Sequence, residues 1–533
     1  MKYLSFIIVA ALMVAASGCG KTSTPTPVPP VTPPVVVPTV TDTFPGPTYA
    51  DNYISIAGWD SRAQWNLANV HDPTVTKCGD YYYMYQTDAS YGNALDGHGH
   101  YPYRRSKDLV KWDFMGTAFT SVPAWVKDSL NNKRARMVPA LPAIDNPSYG
   151  YWAPCIRKVG NKYRLYYCVV VLDPIVGTDY NTSWSERAFI GLAESDDLAT
   201  NVWTDKGMVV CSEPDGLESY IRNGGSDWNA YFKFNAIDPS FIITPEGEHW
   251  LVYGSWHTGI AALKLNAATG KPDKLETIND YGVRIAGRGN ISNNRWQALE
   301  APEIIYNETT GYYYLFMAYD ELSVAYNTRV ARSRNITGPY VGMDGGNVTA
   351  GAECWPIVTH PYAFNNHTGW VGISHCAVFQ NPDTKEWFYA SQGRLPKDVP
   401  GVNASNALMM GQVRSIQWTE DGWPVVMPER YAAVPKSTIT EQSLVGNWEQ
   451  ITLQYQYQVI QHAVSVTLSA DKKVSGGVTG GWSFDATTSL LNINGNKYIV
   501  KDAWDWEAAT RVVTLTYAGL TSSGVSVWAK KLR

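Results

Sequence analysis

The chain has 533 residues, a formal net charge of -5, and 21 Trp and 34 Tyr against 13 Phe. This length predicts about two to four domains, and the lack of a basic excess argues against nucleic acid as a partner. Trp and Tyr join a flat apolar face to a polar edge and suit carbohydrate binding, although large β-proteins also use them as strand residues.

The first 48 residues predict export. "MKY" supplies one positive charge, "LSFIIVAALMVAA" is too short for a transmembrane helix, and "ASGC" ends at Cys19. This last motif resembles a bacterial lipobox, which implies a lipidated Cys19 that anchors the chain to a membrane, facing the periplasm or the cell surface. An ordinary secretory signal is the alternative. We predict a signal peptide over 1–19 and a proline-rich, extended linker over 20–48.

Six cysteines follow Cys19, and none of them forms a CxxC pair. A zinc site of the usual spacing is therefore not expected. The exported location permits disulfides, but the sequence does not pair these cysteines.

One pattern recurs five times through the middle of the chain: a short strand that begins x-Pro-x-apolar, a turn, and an aromatic strand. Each copy is followed by another strand candidate, and the fifth copy lacks the proline. The copies begin at His71, Trp152, Ile237, Glu300 and Ser374. About four strands repeated at this spacing are typical of a β-propeller blade, whose first strand lines the central channel. We predict an all-β fold with a five-bladed β-propeller over 49–437.

Aligning the copies on their prolines brings ionisable side chains to the channel ends of the inner strands. The position before the proline holds Asp72, Asp238 and, in the fifth copy, His375, and the position before that holds Glu300 in the fourth copy. Side chains alternate between the two faces of a regular strand. We therefore expect Glu300 and Glu303 to point to opposite faces, with Glu300 toward the axis and Glu303 outside the chemistry.

Carboxylates that share a site push their pKa values apart, so that one stays ionised while another keeps its proton. Glycoside hydrolysis needs this combination: an acid for the leaving oxygen and a base for water or a nucleophile for the sugar. A solvent-filled channel that tolerates acidic residues is the alternative explanation.

The motifs "HDPTV", "NAIDPSF", "LEAPEI" and "ISHCAV" resemble those of glycoside hydrolase family 43, most of all its endo-α-1,5-L-arabinanases, over residues 55–435. The resemblance implies an inverting enzyme that cleaves internal α-1,5-L-arabinofuranosidic bonds of arabinan. It makes Asp72 the general base, Glu300 the general acid, and Asp238 the residue that raises the pKa of that acid. Inversion leaves room for water, so we expect the carboxyls of Asp72 and Glu300 ~6.5–9.5 Å apart. An exo-acting α-L-arabinofuranosidase, a β-xylosidase and a non-catalytic glycan-binding lipoprotein remain as alternatives.

The resemblance also implies ligand contacts. His375 matches a histidine beside a calcium or similar ion, which water would mostly hold because calcium prefers oxygen ligands. An unmetallated histidine bonded to a carboxylate is the alternative. Trp152 is expected to stack on a sugar ring, unless it is a core residue. Asn235, Ser255 and Trp256 match positions that contact substrate.

The pattern changes after about Ser443, where apolar and polar residues alternate and Asn494-Gly495 marks a hairpin. We predict a small antiparallel β-barrel or sandwich over 438–533 that packs on the propeller. It resembles a module attached to some larger arabinanases. We expect the protein to be a monomer.

Overall fold

The computed structural model describes residues 44–49, 52–88, 97–138, 140–173, 187–214, 232–254, 259–289, 298–364 and 367–533. Phe44–Arg533 forms one compact unit. The predictions for Cys19, Ser255 and Trp256 lie outside the described residues.

Five antiparallel sheets of four strands each follow one another along the chain. The first contains Thr74–Cys78 (β1), Tyr81–Tyr85 (β2), His100–Ser106 (β3) and Asp113–Phe119 (β4). The second contains Tyr149–Val159 (β5), Lys162–Val171 (β6), Ala188–Ser195 (β7) and Thr204–Cys211 (β8). The third contains Ser240–Ile243 (β9), His249–Tyr253 (β10), Ile260–Leu265 (β11) and Val283–Ala286 (β12). The fourth contains Leu299–Asn307 (β13), Tyr312–Tyr319 (β14), Asn327–Ser333 (β15) and Ile357–Thr359 (β16). After Tyr362–Ala363 (β17), the fifth contains Ala377–Gln380 (β18), Trp387–Gly393 (β19), Met410–Trp418 (β20) and Pro424–Val426 (β21).

The first strands of the five sheets contact one another in a ring, in which β18 also contacts β1. This closure confirms the five-bladed propeller and places the repeated x-Pro strands innermost. The aromatic second strands fill the space between neighbouring blades. Tyr314 and Phe316 of β14, for example, are buried in one cluster with Tyr389 and Trp423 of the fifth blade. Large flat side chains suit such packing between twisted sheets.

The residue before the proline position has a left-handed backbone conformation in all five repeats. Its φ is +46° at Asp72, +21° at Ala153, +53° at Asp238, +53° at Ala301 and +49° at His375. Non-glycine residues rarely adopt this conformation. The five copies therefore share one turned entry into the inner strand, as their alignment implies.

This turn changes where the two glutamates of β13 point. Glu300 pairs with Ala318 and Glu303 pairs with Phe316. The two residues between the glutamates, Ala301 and Pro302, therefore stand opposite the single residue Met317 of β14. Such a β-bulge resets the alternation of side chains. Ala318 and Phe316 share a face of β14, and their partners therefore share a face too. The prediction that Glu300 and Glu303 point to opposite faces is wrong, because that rule holds only for a regular strand.

Glu303 is a buried carboxylate that joins four blades. It accepts hydrogen bonds from Nη2 of Arg157 at 2.6 Å, from the hydroxyl of Ser240 at 2.6 Å and from the backbone N–H of Val378 at 3.0 Å. These partners belong to β5, β9 and β18. Glu303 therefore stabilises the inner ring of strands, at a position three residues further along β13 than the predicted catalytic acid Glu300.

The C-terminal part of the chain forms a closed antiparallel barrel, one of the two architectures predicted for it. Its strands are Gly446–Thr452 (β22), Val464–Leu468 (β24), Lys473–Gly476 (β25), Gly480–Asp485 (β26), Leu490–Ile493 (β27), Asn496–Trp504 (β28), Val513–Leu520 (β29) and Ser526–Lys531 (β30). Gln461–His462 (β23) lies outside the barrel and pairs in parallel with β17. Among the described residues the α-helices are Trp125–Arg136 (α1) and Glu441–Leu444 (α2), and the 3-10 helices are Trp59–Gln64, Ile278–Tyr281 and Val348–Ala350. None of these helices has the length and apolar character to cross a membrane.

A buried lysine links the barrel to the propeller. The Lys530 ammonium lies 2.6 Å from Oε1 of Glu429, 2.8 Å from Oδ1 of Asp505 and 2.8 Å from Oε2 of Glu507. Glu429 precedes the barrel, whereas the other residues belong to it. In the part of the chain that the structure describes, these acids are also the one set of three whose oxygens converge as metal ligands would. Lys530 supplies the positive charge there.

Candidate active site

Asp72 is held from several sides where the chain enters β1. Its Oδ1 lies 2.8 Å from Nδ1 of His375, its Oδ2 accepts a hydrogen bond from the Thr87 hydroxyl, and its backbone N–H donates to Oε1 of Gln392 at 2.6 Å. Burial alone would raise the pKa of Asp72, but the charge and hydrogen bond of His375 lower it to about 2. Asp72 is therefore an ionised carboxylate at any pH near neutrality.

His375 supplies the positive charge at this end of the channel. Burial alone would lower its pKa, but the nearby Asp72, Asp238 and Glu300 raise the pKa of His375 to about 9. The imidazole is therefore protonated near neutral pH and compensates part of the negative charge of the three acids.

Asp238 is the most deeply buried of the three acids, with 5% of its surface exposed. Its Oδ2 accepts a hydrogen bond from the backbone N–H of Ala301 at 3.0 Å, which fixes it beside the bulge that carries Glu300. Burial and the charges of Glu300 and Asp72, opposed by His375, raise the pKa of Asp238 to about 7. Like charges in one buried site cannot all ionise easily, so Asp238, beside Glu300, retains its proton up to about neutral pH.

Glu300 is half-buried, and its Oε1 accepts a hydrogen bond from the Tyr326 hydroxyl at 2.5 Å. Burial and the charge of Glu300 raise the pKa of Tyr326 well above its ordinary value. The phenol therefore remains a donor throughout the range in which the carboxyls titrate. It orients Glu300 and favours the ionised form of its carboxyl.

The channel end thus combines one ionised carboxylate, Asp72, with Asp238, whose raised pKa keeps a proton beside Glu300. These are the two states that general base and general acid catalysis require. A glycoside hydrolase uses one group of each kind.

Comparison with protein families identifies the propeller. Residues 67–424 match the model described as "Glycosyl hydrolases family 43". The chain belongs to glycoside hydrolase family 43. Residues 428–529 of this family 43 enzyme match a second model, described as "C-terminal lipocalin-like domain", which corresponds to the closed barrel. The protein is therefore a glycosidase with a catalytic propeller and a C-terminal barrel.

Relatives of this family 43 enzyme match over nearly its whole length. An extracellular endo-alpha-(1->5)-L-arabinanase of Thermotoga petrophila is 27% identical over 88% of this chain and 95% of its own length. The extracellular endo-alpha-(1->5)-L-arabinanase 2 of Bacillus subtilis is 24% identical over 92% of this chain and 96% of its own length. The crystal structure of an endo-1,5-alpha-L-arabinanase from Thermotoga petrophila superposes with a TM-score of 0.66 at 25% identity, covering 88% of this chain and 99% of the other.

The structure adds three partners of the acids that the sequence analysis of this family 43 chain did not identify: Thr87, Tyr326 and Gln392. Thr87 donates to Asp72 and also accepts a hydrogen bond from the backbone N–H of Ala153 at 2.7 Å, so it ties the first two blades together. None of the three lies in the aligned positions of the repeat. Their side chains reach the site from the ends of other strands, and no local pattern marks them.

The substrate contacts predicted for this family 43 enzyme remain predictions. Trp152 is half-buried and packs against the apolar cluster that contains Cys168 and Ile237. Asn235 is 8% exposed, and its Oδ1 accepts a hydrogen bond from the Ser212 hydroxyl at 2.9 Å. The carbonyl side of that amide is therefore already held by the protein.

The cysteines of this family 43 chain form no disulfides among the described residues, where all six are free thiols. Five of them are buried, and only Cys78 is partly exposed. Buried thiols of this kind act as small apolar side chains. The fold of the propeller and barrel is therefore held by packing and polar contacts.

Proposed function

We propose that this family 43 enzyme is an inverting endo-α-1,5-L-arabinanase that cleaves internal bonds of arabinan. The proposal depends chiefly on one feature of the channel end: the ionised Asp72 shares it with Glu300 and with Asp238, whose pKa is raised to about 7. The names of the two full-length relatives support arabinan as the substrate and endo as the mode of action. Their similarity extends over 88% and 92% of this chain, so the proposal covers the propeller and the barrel together.

In this proposal Asp72 is the general base. Its low pKa keeps it ready to accept a proton from water, and Thr87 and His375 fix the direction of its oxygens. Water activated in this way attacks the anomeric carbon from the side opposite the leaving oxygen. A direct displacement of this kind inverts the anomeric configuration.

Glu300 is the general acid of the proposed mechanism, and Asp238 keeps the proton available. Glu300 is the more accessible of the two carboxyls and so donates to the leaving sugar oxygen. Asp238, fixed by the N–H of Ala301, opposes full ionisation of the pair through its negative charge. Tyr326 holds the carboxyl of Glu300 in place.

A calcium ion near the channel axis remains part of the proposal. Nδ1 of His375 is taken by Asp72, so this residue offers an ion only Nε2, and only when that nitrogen is deprotonated. The protonated imidazole present near neutral pH does not bind a cation, so a calcium ion there requires neutral His375, with water oxygens as its other ligands. When bound, such an ion would supply positive charge at the channel centre.

Export and anchoring belong to the same proposal. The apolar N-terminal segment and the "ASGC" motif support a lipidated Cys19 and a membrane-tethered enzyme. The names of both full-length relatives contain the word extracellular, which supports export. The proline-rich linker would hold the enzyme away from the membrane surface.

Linear α-1,5-arabinan, free of side branches, tests the proposed activity. Early products sized by chromatography should be a spread of oligosaccharides, and the Glu300→Gln variant should produce none. Release of arabinose alone would instead favour an exo enzyme, an activity named for a relative from Cellvibrio japonicus that is 26% identical over 67% of this chain. Cleavage of xylosides but not arabinan, or binding without cleavage, would contradict the proposal.

A further inference from the structure

A loop of the barrel reaches the fourth blade of the propeller. It comprises residues 453–460, between β22 and β23. The Tyr457 hydroxyl donates to Oε1 of Glu321 at 2.7 Å, and Nε2 of Gln458 donates to the same oxygen at 3.2 Å. The guanidinium carbon of Arg329 lies 4.6 Å from the centre of the Tyr455 ring. Contacts of three side chains therefore hold this loop against the propeller.

Glu321 belongs to the loop that leads to a partner of the proposed general acid. The same loop, residues 320–326, carries Tyr326, which donates to Glu300. The carbonyl oxygen of Ser323 in this loop lies against Gly372, three residues before His375. The loop thus leads to Tyr326 at the site, and Tyr457 is bonded to the second residue of the loop.

The barrel loop exposes apolar surface beside the fourth blade. Eight large apolar side chains are exposed among the described residues, and two of them belong to this loop: Tyr457 is 53% exposed and Val459 43%. Neighbouring exposed apolar groups commonly mark a binding surface.

The exposed ring is nevertheless fixed. Its hydroxyl is bonded to Glu321, the N–H of Val459 closes a turn on the carbonyl of Gln456 at 3.3 Å, and β23 then pairs with β17 of the propeller. A ring held in this way loses little freedom when a ligand binds. It offers a flat apolar face, which suits the C–H face of a sugar.

We propose that Tyr457 forms a distal sugar-binding position of the substrate groove, on which an arabinofuranosyl unit remote from the cleaved bond stacks. The barrel then takes part in substrate selection by favouring chains long enough to reach it. This inference rests on the proposed activity toward arabinan. Binding energy gained from a remote unit favours long substrates and leaves the shortest ones unaffected.

Three variants of the full-length enzyme test the inference on linear arabinan and on arabinotriose. Tyr457→Ala should lower kcat/KM on the polymer about threefold to tenfold, in line with a single aromatic contact, and leave arabinotriose unchanged. Tyr457→Phe keeps the ring and should behave as wild type. Val202→Ala removes an exposed apolar side chain of the second blade, outside this loop, and serves as the control. Thermal unfolding of each variant checks that the fold is intact.

Each other outcome is distinguishable. If wild type and Tyr457→Ala are equal on the polymer, the inference is wrong while the proposed function stands. If Tyr457→Phe loses as much as Tyr457→Ala, or if both substrates are affected equally, Tyr457 acts through Glu321 on the site itself and not by stacking. If the wild type cleaves neither substrate, the proposed function fails and the inference fails with it.

Discussion

At the scale of single residues, the active site depends on how charge is divided among four side chains. The positive charge of His375 compensates the negative charge of Asp72 directly, through a 2.8 Å contact. The same charge compensates Asp238 and Glu300 only in part. Asp72 is thereby ionised, with its pKa lowered to about 2, while the pKa of Asp238 is raised to about 7. One pocket thus holds a base and a proton donor at the same pH.

Removing the charge of Asp238 should shift the pH profile of the enzyme. Asn at this position still accepts the N–H of Ala301, but it no longer opposes ionisation of Glu300. The proton needed for catalysis is then lost at lower pH, so the alkaline limb of kcat for Asp238→Asn should move down by roughly 1–2 pH units. Initial rates on linear arabinan between about pH 4 and pH 9 measure the shift. An alkaline limb that stays in place would contradict the role given to Asp238.

Removing the hydroxyl of Tyr326 should move the same limb the other way. The phenol donates to the carboxyl of Glu300 and favours its ionised form. In Tyr326→Phe the pair keeps its proton to higher pH, so the alkaline limb should rise by about 0.5–1 unit. The same rate measurements serve for both variants. Shifts of the same sign would show that the two residues do not act on a common proton.

At the scale of the strand, the turned entry of each inner strand decides which side chains reach the axis. The left-handed residue before the proline position creates a bulge in β13, which turns Glu300 and Glu303 to one face. Glu300 serves the site at the channel end. Glu303 binds Arg157, Ser240 and the backbone of β18, and so joins the blades to one another.

Glu303→Gln should therefore lower stability more than it affects chemistry. The substitution leaves the guanidinium of Arg157 partly buried without its carboxylate, and we expect the free energy of unfolding to fall by about 2–4 kcal/mol. The double variant with Arg157→Met should recover part of that loss. Urea unfolding measures both effects, and activity is compared below the unfolding transition. A folded but inactive Glu303→Gln variant would instead place Glu303 in the catalytic step.

The sequence predicts the propeller and four of the site residues because these depend on a local pattern that recurs in every blade. Asp72, Asp238, Glu300 and His375 all lie near one position of that pattern. The bulge was not predictable in this way, since Ala301 is not a glycine and nothing local marks its positive φ. Partners from distant parts of the chain could not be predicted either. Gln392, for example, accepts a hydrogen bond from the backbone of Asp72, 320 positions away in the sequence.

At the scale of the whole molecule, propeller and barrel share one interior. A single buried cluster contains Val358 and Tyr362 of the propeller together with Ile451 and Trp528 of the barrel. The buried contacts of Lys530 with Glu429, Asp505 and Glu507 lie beside it. An interface of this kind, apolar with a compensated charge, makes the barrel a permanent part of the enzyme.

The acids around Lys530 should give stability a distinct pH dependence. Burial, with Glu507 and Asp505 adding to it and Lys530 opposing it, raises the pKa of Glu429 from 4.5 to about 7. The folded state therefore holds a proton that the unfolded state releases, and this stabilisation is full below pH 4.5 and is lost as pH rises through about 7. Glu429→Gln, which mimics the protonated acid, should unfold at a higher temperature than wild type at pH 8.

The control for that prediction is Lys530→Met, which leaves three buried acids without their cation. It should lower the free energy of unfolding by about 3–5 kcal/mol. Thermal unfolding of both variants at pH 5 and pH 8 provides the measurement. If Glu429→Gln were less stable than wild type at pH 8, the ionised form of Glu429 would stabilise the fold and the assigned direction of the pKa shift would be wrong.

The anomeric form of the first products tests the central claim most directly, because it reports on the arrangement of Asp72 and Glu300 together. Proton NMR recorded as linear α-1,5-arabinan is cleaved resolves the new reducing ends before they equilibrate. The account predicts that these ends first appear in the β configuration, inverted from the α bond of the substrate. Reducing ends that first appear as α would show retention, and would contradict the assignment of Asp72 as a base acting on water.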